Sequence, residues 1–196
     1  WWQMGGRWYD VLKLKDPRIG EVGSPGLMCS PAEPGYADQC IKSNVDFDGK
    51  MQAAREEAAV EYDKAAEIIA GREWHTWEQA LKEVDGAGRT ADSIGAARDR
   101  YHAQDVVKDL KEMSDSPFYD ISGFHMEREK YIEQCANSAI ATFAVLKDGK
   151  WYERGEMGWF ACVSDEKDAD DWNGEFKALL DTVADDKCLT VVDCHI

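Results

Sequence analysis

The sequence predicts an α+β protein: an N-terminal strand and a helical block, followed by a C-terminal ββαβ sheet unit. Three observations predict it. From Asp46 the apolar residues Phe47, Met51, Ala54, Ala58, Tyr62, Ala65 and Ile69 recur at steps of three and four, the period of a helix. Asp148-Gly149 stands between two β-rich runs, the composition of a tight hairpin turn. The stretch Cys188–Ile196 reads Cys-Leu-Thr-Val-Val-Asp-Cys-His-Ile, a buried strand. Helices gathered in one part of the chain and strands in another favour α+β over the alternating order of a parallel α/β sheet.

The elements follow in order. Residues 7–14 alternate apolar and polar side chains and form the first strand. A long connection runs from Asp16 to Ser43, with Pro17, Pro25, Pro31 and Pro34 keeping it irregular. The first helix closes at Gly71. Thr76-Trp77-Glu78-Gln79 fits a capping box for a second helix, which ends at Gly86. A third starts at Thr90 or Ser93 and carries Ile94, Ala97, Tyr101, Val107 and Leu110, with Pro117 and Gly123 marking the next break. Ser122 caps a helix from Phe124 to Cys135. Strands then fall at Ala139–Leu146, Lys150–Tyr152 and Trp159–Val163, and a helix at Asp170–Val183 has Trp172, Phe176, Leu179, Leu180 and Val183 on its inner face. The composition changes near 136/137, so 1–136 and 137–196 are read as two regions of one compact body.

With 196 residues and 44% hydrophobic content the chain has enough apolar side chain for a packed core. Its 39 acidic against 23 basic residues leave a net charge of -16, which argues against nucleic acid or an anionic membrane as the partner, since phosphate binding needs clustered positive charge. No apolar run approaches a membrane span, the longest being Ser138–Leu146, and the start shows no basic-then-apolar signal. The expected setting is cytoplasmic. Cys188 and Cys194 on one strand stand about 20 Å apart, beyond bridging distance. Cys135, Cys162 and Cys188 sit among apolar neighbours as small core residues. Only Cys29 and Cys40, in the Gly/Pro-rich connection, have the freedom to pair, the alternative being two thiols in a reducing compartment.

Lys147-Asp148-Gly149-Lys150-Trp151-Tyr152-Glu153-Arg154-Gly155-Glu156-Met157-Gly158-Trp159-Phe160, then Ser164-Asp165-Glu166-Lys167, then Leu189-Thr190-Val191-Val192-Asp193-Cys194-His195-Ile196, resembles a group of uncharacterised proteins from bacteriophages and bacterial mobile elements. The resemblance covers about the last sixty residues, and more loosely Arg98–Lys108 and Asn44–Gly71. It implies a phage or prophage origin and action inside a bacterial host cell. It implies no activity, cofactor or catalytic residue.

Asp193 and His195, two apart on a strand, project to one face, with Val192, Cys194 and Ile196 on the other. A carboxylate beside an imidazole can orient a general base or supply two metal ligands, although a short polar face at a strand end is also simply solvated. His125 and Glu129 are an i,i+4 pair with Glu127 beside them, a spacing that fits a metal but equally a solvated first turn. His75 and His102 have no partner at ligand spacing. The run from Asp168 to Gly174 has the acids of a calcium loop, but Ala169 and Leu180 fall where its end ligands belong, so it is read as the start of a helix. Walker, dinucleotide, G-x-S-x-G and C-x-x-C motifs are absent, and no cofactor or metal is expected.

Two functions compete. In the first the chain is an acidic interaction protein that binds and modulates or inhibits a host protein with a basic surface, such as a defence or nucleic-acid-processing factor, without touching nucleic acid itself. Mimicry of DNA phosphates is one version. Its binding residues are Trp151, Arg154 and Trp159, an aromatic and arginine set of the kind found at interface hot spots, with Asp165, Glu166, Asp168, Asp170 and Asp171 from the 164–187 segment, where nine acids meet three lysines. In the second it is a small metal-assisted hydrolase or nucleotide-processing enzyme. That reading uses Asp193 and His195 with Asp165, Glu166 or Glu156, and expects a pocket at the end of the last strand lined by these groups and Trp159. A virion or scaffold component is a third reading, disfavoured by self-repulsion.

Overall fold

The computed structural model describes residues 2–8, 10–26, 29–84, 90–116, 119–158 and 162–194. They form an α+β chain of six α-helices and several small sheets. Two compact units are present, one of Trp1–Arg55 with Gln134–Ile196 and the other of Glu56–Glu133. Their limits lie within two helices, whereas composition alone drew a boundary at 136/137.

The Glu56–Glu133 unit is helical. The apolar stripe forms α1 (Phe47–Ile69), which buries Ala58 and Ala65. Its later turns pack Tyr62, Ala65, Ile68 and Ile69 into a core with Val106, Val107, Leu110, Ile121 and Phe124. α2 (Trp77–Val84) opens with the expected capping box: the Gln79 N–H donates to Thr76 Oγ1 at 3.1 Å and the Thr76 N–H to Gln79 Oε1 at 2.7 Å. α3 (Ala91–Ala103) is capped by Thr90, with Ser93 completing the reciprocal pair. Gly86 and Pro117 lie outside the described residues.

Two expectations are corrected in this unit. The third helix does not run on to Leu110. Gln104 is extended (φ -65°, ψ 127°), and α4 (Asp105–Lys111) starts anew after it. The cause is a distant clamp: Gln104 Oε1 accepts from the His75 N–H at 2.7 Å, and Nε2 donates to the carbonyls of His75 and Tyr101, each at 3.2 Å. The restart turns Val106, Val107 and Leu110 inward together. Ser122 caps no α-helix either. Its hydroxyl donates to Asp120, Ser122–His125 make a 3-10 turn, and α5 (Arg128–Ser138) begins three residues later.

The other unit is built from short strands. They are β1 (Trp2–Gly6), β2 (Leu12–Lys13), β3 (Ser24–Pro25), β4 (Tyr36–Ala37), β5 (Gln39–Ile41), β6 (Ala144–Lys147), β7 (Lys150–Glu153), β8 (Glu156–Met157), β9 (Val163–Ser164), β10 (Cys188–Thr190) and β11 (Val192–Cys194), with α6 (Ala169–Asp181) before the last two. A single strand over 7–14 is not formed. Gly5 and Gly6 at the end of β1 (φ 79° and 68°) and Asp10 ahead of β2 (φ 57°) take left-handed backbone and break the run. The long connection is not structureless, since it carries β3, β4 and β5.

The ββαβ order does not make one sheet. β6 pairs with β7 and β8 with β9 as separate hairpins, and the last strand is split at Val191. β10 pairs antiparallel with β5, then the Val191 N–H donates to the Asp38 carbonyl at 2.7 Å and its own carbonyl accepts from Gly5. β11 continues antiparallel to β1, while β3 lies parallel on the other side of β1. Leu12, Cys40, Val45 and Val191 form the core here, with Val11, Leu14, Phe47 and Leu189 against them. Cys162 and Cys188 are exposed rather than core residues, Cys135 is half-buried, and Cys194 is exposed. Cys29 and Cys40 form no disulfide; Cys40 is buried with its thiol 3.2 Å from the Ile19 carbonyl.

Candidate functional site

Asp193 is neither a solvated strand-end acid nor, among the described residues, part of a pocket at the end of the last strand. The side chain is 1% exposed while Cys194 faces out, so the polar residue points in. Three donors of Arg7 account for this: its backbone N–H reaches Asp193 Oδ2 at 3.1 Å, Nε reaches Oδ2 at 2.9 Å and Nη2 reaches Oδ1 at 2.6 Å. The same carboxylate holds the Arg7 guanidinium above its ordinary pKa. Gly6 lies directly against it, where an added Cβ would stand 2.4 Å from Asp193 Cβ. Gly5 makes the same close approach to a second buried carboxylate, Asp38, whose Oδ2 accepts from the Gly23 N–H at 2.7 Å. A carboxylate forked by a guanidinium and sealed from water is arranged to tie the start of the unit to its end. His195 lies outside the described residues. The depression lined by Gln3, Met4, Val22, Gly23 and Ser24 runs along β1 and β3.

The acidic segment is organised by α6. Trp172 anchors that helix, 2% exposed, with Nε1–H donating to the Thr142 carbonyl at 2.7 Å, the Phe176 ring edge-on to it and the Lys167 ammonium 5.1 Å from its centroid. Asn173 donates to Ser138 Oγ at 2.9 Å. With that face buried, the acids fall on the outside. Asp165 (φ 48°), Asp168 and Asp171 are exposed, three residues apart, and have no ion-pair partner among the described residues. Asp168 occupies the N-cap position of α6 without its side chain making the cap hydrogen bond. Glu166 instead pairs with Arg154 Nε at 2.9 Å, and Asp170 accepts from Gln134 at 3.1 Å. The five acids singled out from sequence are therefore three outward and two engaged.

Arg154 is a stitch rather than a presented side chain. Its N–H donates to the Phe143 carbonyl at 2.9 Å and its carbonyl accepts from Lys167 at 2.8 Å, tying the β6–β7 hairpin to the acidic segment. Trp151 is half exposed, and its indole N–H donates to Glu153 Oε2 at 2.7 Å. Leu146 stands opposite Trp151 in the hairpin and is more exposed still. Trp159 lies outside the described residues. Sequence reasoning missed Arg7, Asp38, Leu146 and Glu153; the adjacent Gly5-Gly6 pair ahead of Arg7 was the available signal for the first two.

The histidine alternatives resolve into packing. His125 stacks on Trp74 with ring centroids 3.6 Å apart, and burial pushes its pKa down against the opposing pull of Glu78. Glu129 accepts from Arg128 at 3.0 Å, and His75 Nδ1 lies 2.8 Å from Glu83. The 168–174 run enters a helix, not a calcium loop. Among the described residues no group of three or more His, Cys, Asp or Glu side chains is arranged to hold a metal, and no helix is long and apolar enough to cross a membrane. Compared with protein-family models, with curated proteins and with solved structures, the chain has no match.

Proposed function

We propose that this chain is an acidic, phage-derived interaction protein that docks on a basic surface of a bacterial host protein and modulates or inhibits it. The observation that carries the reading is the row Asp165, Asp168 and Asp171, exposed and without ion pairs among the described residues although Lys167 and Lys177 lie in the same segment, bound to Glu175 and Asp181. Carboxylates left unneutralised in the approach to α6 and its first turn, within a chain of net charge -16, steer a cationic surface toward them and hold it with a strength that salt weakens.

The test is capture from a bacterial lysate on immobilised chain at about 50 and about 500 mM salt, where the screening length shortens severalfold. A host protein retained at low salt, released at high salt and lost by the variant D165K/D168K/D171K, with the variant's unfolding midpoint unchanged, is the expected result. Retention that ignores both salt and the three substitutions, or no retained protein at all, overturns the reading.

A further inference from the structure

Strand alternation puts Ala144, Leu146, Trp151 and Glu153 on one face of the β6–β7 hairpin, with Leu146 directly opposite Trp151 and Ala144 opposite Glu153. Leu146 is 68% exposed and Trp151 51%, an apolar pair without cover on a two-stranded ribbon. The bond from Trp151 Nε1 to Glu153 Oε2 fixes the orientation of the indole and holds a carboxylate at its edge. Glu153 has no ion-pair partner among the described residues. Among the described residues four other rings carry a cation from this chain: Trp8 has Arg7 at 5.6 Å, Tyr36 has Lys50 at 5.9 Å, Tyr152 has Lys150 at 4.5 Å and Trp172 has Lys167 at 5.1 Å. Trp151 has none among the described residues, although it is half exposed and has a carboxylate beside it.

We infer that Trp151, Glu153 and Leu146 form a docking position for an arginine side chain of the basic partner, an inference that rests on the proposed function. The guanidinium stacks on the indole face and pairs with Glu153, and its alkyl stem lies along Leu146. Charge complementarity selects a cation. Arginine suits the position better than lysine because its planar, weakly hydrated head both stacks and forks a carboxylate. Arg154, bonded to Phe143, Glu166 and Lys167, joins this hairpin to the segment bearing Asp165, Asp168 and Asp171.

The probes are two short peptides of equal charge, one with four arginines and one with four lysines, titrated into 15N-labelled chain. The indole N–H resonance of Trp151 is assigned by its loss in W151F. The arginine peptide is expected to move that resonance and to bind two- to five-fold more tightly than the lysine peptide, the span of an exposed cation–π contact. E153Q, which still accepts from the indole but has lost the charge that the guanidinium forks, should narrow the gap between the two peptides. If D165K/D168K/D171K weakens both peptides but the Trp151 resonance never moves, the docking position is overturned and the acidic-face reading stands. If neither peptide binds, both fall.

Discussion

Asp193 and Asp168 belong to the same unit, yet one is sealed beneath Gly6 and the other stands in water at the start of α6. The charges this unit takes out of solvent are met by close partners: Arg7 forks Asp193, the Gly23 N–H meets Oδ2 of Asp38, whose Oδ1 alone is left without a hydrogen bond among the described residues, and the Lys50 ammonium donates to the carbonyls of Asp10 and Val11 at 2.6 and 2.7 Å. Along 165–171 three carboxylates have no such answer. Burial explains the difference. A buried charge carries a desolvation penalty of several kcal/mol that only close donors offset, whereas an exposed acid is served by water and an exposed ion pair adds about 0–1 kcal/mol. The buried seam is therefore where charge governs stability, and the exposed row is where charge is left for a partner.

The largest effect that would break this contrast belongs to Arg7. Arg7→Ala leaves Asp193 buried without its guanidinium and should lower unfolding stability by about 3 kcal/mol, read as a fall in the urea midpoint, while host-protein capture by the folded fraction is unchanged. A loss within 0.5 kcal/mol, about the scatter of ordinary surface substitutions, would show that the seam is not held by its charges. A smaller effect comes from Lys50. Burial pushes its pKa down to about 8 from an ordinary 10.5, so between those values the unfolded chain binds a proton that the folded chain has released. Stability should rise with pH from 8 to 9.5, and Lys50→Met should flatten that slope. The window stops short of the tyrosines: Tyr101 and Tyr119 are raised above their ordinary value by burial and pull stability down at higher pH.

What could be read from the sequence was what is decided locally. The α1 stripe, the Thr76 and Thr90 caps and the Asp148-Gly149 turn, with φ 52° and 76°, depend on residues a few positions apart. The break at Gln104 depends on His75, and the split of the last strand on Asp38 and Gly5. Alternation put Asp193 on the face opposite Val192 and Cys194, but no local rule tells which face is inside, because Arg7, 186 residues away, is what makes the inward carboxylate favourable. The acidic segment was legible from composition. Which of its acids stay unpaired was not, because Arg154 and Gln134 reach Glu166 and Asp170 only through the fold.

The smallest predicted effect sharpens the contrast most. An aspartate at an N-cap normally loses about 1 kcal/mol of stability when replaced by alanine, because its side chain accepts a hydrogen bond from the first turn. Asp168 makes no such bond, so only its interaction with the helix dipole remains, and Asp168→Ala should cost a few tenths of a kcal/mol in urea unfolding. A loss near 1 kcal/mol would mean that the carboxylate closes the helix end in solution and is not held out for a partner. A small loss together with weakened, less salt-sensitive capture assigns the same side chain to recognition. The two readouts move in opposite senses for the two roles, so one substitution separates an acid that builds α6 from an acid that α6 presents.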